Sequence, residues 1–164
     1  MSVYFNADEI FEMAEEIERN GARFYRRAAK GAGESRTRHR LLELASMEED
    51  HEKIFASMRK ELADQQWAAL AYDPQGEVAL YLQAMAAGKV FDVKSDPTKR
   101  LSGKETMEEI LHIAIGLEKD SIIFYLGIKD MVPEELGKDK IDRIIKEEMS
   151  HITTLTEELA ALSQ

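Results

Sequence analysis

The second half of this 164-residue chain echoes the first at an offset of one hundred residues, and the echo falls on residues that carry chemistry. Glu18 returns as Glu118, Glu48 as Glu148 and His51 as His151. Ile10, Ala14, Phe24 and Tyr25 return as Ile110, Ala114, Phe124 and Tyr125. A repeat of this kind constrains the fold before any single residue is read, because two copies of one supersecondary unit have to bury their apolar faces together.

Each unit reads as a helical hairpin. Ile10, Ala14, Ile17, Gly21, Phe24 and Ala28 recur at three-to-four spacing, which predicts a helix over about 8–30. Asn6 with Glu9 resembles a capping box at its start, and Gly31 and Gly33 mark its stop. Leu41, Leu44, Ala45, Glu48, His51 and Phe55 form the inward stripe of a second helix, over about 37–62. Third and fourth helices are expected over about 104–131 and 137–162, with Pro133 breaking the chain between them. The links within each half are short and so make antiparallel pairs. Residues 63–103 form one long crossover, in which a short amphipathic helix is expected over about 77–87. The expectation is a single all-α domain, 1–164: a four-helix bundle of two antiparallel hairpins.

The repeated motifs place acid where the pattern demands apolar residues. Each half carries a Glu seven residues before a Tyr, EIERNGARFY and GLEKDSIIFY, so both side chains share a stripe nearly two turns apart. Ala14 and Gly21, or Ala114 and Ser121, lie about one turn from that Glu and leave room beside it. Each half also carries a Glu-x-x-His, EEDH from Glu48 and EMSH from Glu148, whose two members are neighbours on one helix face. Glu148 has Ile144, Ile145, Ile152 and Leu155 at adjacent helical positions, with no Lys or Arg on that stripe. A carboxylate buried there without a partner costs several kcal/mol, so a cation is its natural neighbour. Four carboxylates and two neutral imidazoles carry about −4, which two divalent ions cancel. Such ligands suit iron first, with manganese or a mixed pair as alternatives.

Composition removes the competing chemistries. With no cysteine there are no disulfides, thiolate zinc sites or iron–sulfur clusters. A net charge of −10 argues against a nucleic-acid partner. No stretch approaches the roughly 18 apolar residues of a membrane span, and Met1 to Asn6 lacks the basic flank and apolar run of a signal peptide; the expectation is a cytoplasmic protein with no membrane association.

At these residues the sequence resembles the rubrerythrin branch of the ferritin-like di-iron carboxylate superfamily, and the resemblance covers all four long helices. It implies a ferritin-like bundle holding two iron ions. Glu48 and Glu148 would bridge them, Glu18 and His51 would complete the ligands of one, and Glu118 and His151 those of the other. Tyr25 and Tyr125 would donate hydrogen bonds to ligand carboxylates. The implied activity is peroxide or dioxygen reduction by a homodimer fed by an external electron-transfer protein. Ferrous-iron oxidation and iron handling is the alternative, although ferritin cages add a short fifth helix and this chain stops near the end of its fourth. A bundle with structural metal and a protein-interaction role is the third reading. The chain departs from rubrerythrins at Ser121, where they carry a further Glu, and in ending at Gln164 without a cysteine-bearing rubredoxin module.

The remaining polar residues read as ordinary surface. Glu15, Glu16, Glu49, Glu52 and Glu147 are assigned to solvated helix faces. His39 and His112 fall about 120° from the ligand stripes of their helices. Phe24 and Phe124 belong to the core, the eight Met residues are core fillers, and Trp67 has no assigned role.

Overall fold

The computed structural model describes residues 7–64, 80, 81, 84, 95–130, 132 and 134–163. Four long helices carry the fold: α1 (Ala7–Gly31), α2 (Ser35–Asp64), α3 (Met107–Lys129) and α4 (Lys138–Leu162). α1 packs along α2 and α3 along α4, while α1 meets α3 and α2 meets α4 across the bundle. This is the all-α bundle of two hairpins that the repeat predicts. The connections add two short 3-10 turns, Pro97–Arg100 and Glu134–Leu136.

Helix boundaries follow the local hydrogen-bond chemistry. Only residues 32–34 separate α1 from α2, a link too short for anything but an antiparallel pair. There the Arg38 guanidinium donates to the Ala32 carbonyl at 2.7 Å. α3 begins at Met107, three residues later than periodicity suggests, because Thr106 and Glu109 close a capping box. The Glu105 carboxylate is meanwhile occupied by the backbone N–H groups of Ser102 and Gly103, at 2.6 and 2.9 Å. α4 starts from Gly137, whose φ of 99° lies in the left-handed region that favours glycine. Asn6 and most of the expected 77–87 helix lie outside the described residues; Leu80, Tyr81 and Ala84 are helical.

The repeat is geometric as well as sequential. One apolar cluster joins Ile10, Phe11 and Ala14 of α1 to Phe124, Tyr125 and Ile128 of α3; a second joins Ile110, Leu111 and Ala114 of α3 to Phe24, Tyr25 and Ala28 of α1. These are repeat mates, exchanged between helices. The Phe24–Tyr25 rings meet edge-on at 5.7 Å and 78°, and the Phe124–Tyr125 rings at 5.8 Å and 76°. Each large side chain sealed in these clusters contributes roughly 1.5–3 kcal/mol of burial. That is what holds acid-bearing stripes together between them.

Candidate metal centre

α1 supplies Glu18, α3 supplies Glu118, and the Glu-x-x-His pairs come from α2 (Glu48, His51) and α4 (Glu148, His151). All six residues are buried, none more than 4% exposed. Buried neighbours one or two turns away carry the acids inward: Ala14 and Tyr25 around Glu18, Ala114 and Tyr125 around Glu118, Ile144, Ile145 and Leu155 around Glu148.

The ligand atoms converge on two adjoining points. Glu18, Glu48, His51 and Glu148 form one cluster, and Glu48, Glu118, Glu148 and His151 the other, with donor atoms in each within 4.8 Å of one another. Glu48 and Glu148 belong to both. His51 Nδ1 lies 3.0 Å from Glu148 Oε1 and 3.3 Å from Glu18 Oε2. His151 Nδ1 lies 2.9 Å from Glu148 Oε2, 3.3 Å from Glu48 Oε1 and 3.4 Å from Glu118 Oε1. The two imidazoles are nearly parallel, 17° between planes with centroids 5.8 Å apart. Tyr25 donates to Glu118 Oε1 and Tyr125 to Glu18 Oε1, so each tyrosine serves the carboxylate of the other hairpin.

Room for this arrangement is set by two small residues. A Cβ placed on Gly21 would come within 2.9 Å of Glu48 Oε2 and 3.1 Å of its Cδ. Only hydrogen at that position lets the Glu48 carboxylate lie against α1. Ser121, its repeat mate, turns its hydroxyl back to the Leu117 carbonyl at 3.0 Å. Gly21, Ser121, Tyr25, Glu48 and Glu118 then line a cavity of about 30 Å³ that reaches Ser95, Pro97 and Arg100 of the crossover. It accommodates a molecule of one or two heavy atoms.

The electrostatics show a site short of positive charge. Burial opposes ionisation of His51, yet the nearby Glu148 and Glu18 outweigh it and push its pKa up to about 11. His151 rises to about 10 in the same way, through Glu118 and Glu148. Burial and then the Glu148 charge raise Glu118 to about 8, and burial with the other three carboxylates raises Glu48 as well. Burial and the Glu18 charge push Glu148 upward, but contacts with His151, His51 and Glu118 leave it below its ordinary value. Burial, then the facing carboxylates, push both tyrosine hydroxyls well above their normal range, so they remain donors.

These residues fit a pair of metal ions. Glu18 Oε2, Glu48 Oε1, both oxygens of Glu148 and the Nδ1 atoms of His51 and His151 are buried without a hydrogen-bond partner, and they are atoms that point into the two clusters. Among the described residues the ion pairs of the six involve only one another and Glu147. The fifth buried acid, Glu158, is different: it accepts from Thr37 Oγ1 at 2.9 Å and pairs with Arg36 at 3.2 Å. Buried acid is satisfied elsewhere in this protein, and left for a cation here.

No protein-family model and no curated protein matches the chain. The crystal structure of a Thermotoga maritima protein assigned to the ferritin-like diiron-carboxylate proteins superimposes with a TM-score of 0.74 at 27% identity, covering 96% of both chains. This chain has the ferritin-like diiron-carboxylate fold. The ferritin-like bundle brings together all six residues singled out in the sequence, in two buried carboxylate–histidine clusters consistent with a dimetal site.

One residue that sequence reasoning assigned to the surface touches the centre. Glu147 Oε2 lies 2.7 Å from His51 Nε2, and its other oxygen accepts from Arg143 Nε at 2.9 Å. Partial burial raises its pKa, but Arg143 and His51 outweigh that and hold it low. The available signal was position: Glu147 stands one turn before His151 on the face that meets α2. Glu52, by contrast, pairs with Arg19 at 2.9 Å, and His39 and His112 are exposed, as expected.

Proposed function

We propose that this ferritin-like protein is a di-iron oxidoreductase, similar to rubrerythrin, that reduces hydrogen peroxide or dioxygen with electrons from an external donor. The observation that carries the reading is the meeting of the two buried clusters with a cavity of about 30 Å³ walled by Glu48, Glu118 and Tyr25. Space of that size beside the ligand carboxylates suits a molecule as small as peroxide or dioxygen. Two iron ions held by Glu18, Glu48, His51, Glu118, Glu148 and His151 would supply two electrons, one from each, to such a molecule.

The chain's own residues then do the remaining work. Tyr25 and Tyr125 orient Glu118 and Glu18 while staying protonated. Gly21 gives the Glu48 carboxylate the freedom to shift as charge at the centre changes. The apolar clusters on either side exclude bulk water, which strengthens every charge interaction between them. The 164 residues hold no cysteine for an iron–sulfur or thiolate-bound iron centre, and the donor proposed is a separate electron-transfer protein. Without the additional rubrerythrin carboxylate at Ser121, the site works with six ligands.

The test is anaerobic loading with two equivalents of ferrous iron, followed by one equivalent of peroxide in a stopped-flow mixer. Oxidation at least 100-fold faster than free ferrous iron in the same buffer is the expected result. A rate equal to that of free iron overturns the proposal. Dioxygen in place of peroxide, followed by release of ferric iron, would instead favour ferrous iron as the substrate.

A further inference from the structure

The one-hundred-residue repeat also fails at two positions behind the ligand histidines. Glu147 has Met47 as its mate, and Arg143 has Glu43. Both histidines present Nδ1 to the carboxylates of the centre, which leaves Nε2 facing away from it. Behind His51 stands a relay from α4, with Glu147 at 2.7 Å from Nε2 and Arg143 at 2.9 Å from Glu147. Behind His151 the described residues offer no counterpart: its Nε2 is buried without a hydrogen-bond partner among them, and Met47 and His151 together line an open groove between α2 and α4.

We infer that the two metal positions are unequal by construction, with Glu147 a positioning residue that makes the Glu18–His51 position the tighter one and leaves the Glu118–His151 position weaker and more exchangeable. The inference rests on the reading of the six residues as a dimetal centre. An imidazole binds metal through Nδ1 only in the tautomer that carries its proton on Nε2. At His51 that proton points at a carboxylate, which fixes the tautomer, holds the ring plane and makes Nδ1 more basic. At His151 the same proton meets no acceptor among the described residues, so nothing there fixes the tautomer or the ring plane. Loss of a carboxylate partner behind a ligand histidine typically costs 10- to 100-fold in metal affinity. The shared ligands Glu48 and Glu148 serve both positions, so the difference falls on what stands behind each histidine.

Manganese(II) titrated into the metal-free protein, followed by calorimetry, reports the two affinities. Anomalous scattering from crystals holding one equivalent reports which position fills first. The wild-type protein is expected to bind in two steps 10- to 100-fold apart, with the first ion on the His51 side. E147M, at a partly buried position, should weaken the first step by that factor and spread one equivalent over both positions. M47E should strengthen the second step. Equal occupancy in the wild type, or an unchanged filling order in both variants, overturns the inference while leaving the dimetal reading intact. Failure to bind manganese or iron at all overturns that reading, and the inference with it.

Discussion

Gly21 sits where the demands of the helix and those of the centre conflict. In the interior of α1 a glycine costs roughly 1 kcal/mol relative to alanine. The return is space, since a Cβ there would lie 2.9 Å from Glu48 Oε2. Gly21→Ala should therefore separate stability from metal binding. The metal-free variant is expected to be as stable as the wild type or up to about 1 kcal/mol more stable, because a carboxylate tip can swing aside. Its affinity for manganese or iron should fall about tenfold or more, as expected when a metal site's immediate support is disturbed. Denaturant melts and calorimetry on one preparation measure both. Unchanged affinity would show that the close approach of Glu48 to α1 is incidental.

At the scale of the element, the crossover is tied to the bundle through α3. Tyr81 packs against the cluster formed by α1 and α3, and its hydroxyl donates to the Ile123 carbonyl. Gly127 makes that seat, because a Cβ there would fall 2.2 Å from Tyr81 Cε1 and 2.8 Å from Cδ1. Here the obstacle is the edge of a ring held by its own hydrogen bond, so it does not move aside cheaply. Gly127→Ala is expected to lower stability by about 1–2 kcal/mol, overpacking outweighing the gain in helix propensity. A denaturation midpoint at or above the wild-type value would refute this docking. The same element explains why part of the cavity wall escaped the sequence. In the sequence residues 95–100 are only part of the long 63–103 crossover, yet the Pro97–Arg100 turn packs on α1 and helps to line the cavity.

For the molecule as a whole, protons and metal ions compete for one centre. His51 and His151, ordinarily near 6.5, stand near 11 and 10, and Glu118, ordinarily near 4.5, stands near 8. All three hold protons more tightly folded than unfolded. Their contribution to the metal-free fold is therefore complete at acid pH and is lost as pH rises through about 8 and then 10 to 11. The melting temperature of the metal-free protein should fall between pH 6 and 10. Metal loading displaces the same protons, so affinity should rise with pH, and at 100 times the dissociation constant the bound metal adds about 2.7 kcal/mol. Calorimetry at pH 7 in buffers of different ionisation enthalpy counts the protons released. A count of zero, together with a metal-free melting temperature that does not fall with pH, would contradict this account.

The sequence by itself determined the helices, their pairing and the six inward polar residues, because helical periodicity states which face of each helix is buried and the repeat states that two such units match. Glu148 was legible from the isoleucines around it, and Glu18 from its recurrence. Periodicity does not state which helix lies opposite a given face. Only the tertiary structure decided that Tyr25 serves Glu118 and Tyr125 serves Glu18, that Gly21 makes room for Glu48, and that Glu147 reaches across to His51 while Glu52 remains at the surface with Arg19. Those contacts join residues far apart in the chain. They depend on the crossing of α1 with α3 and of α2 with α4, which the packing of the two apolar clusters sets.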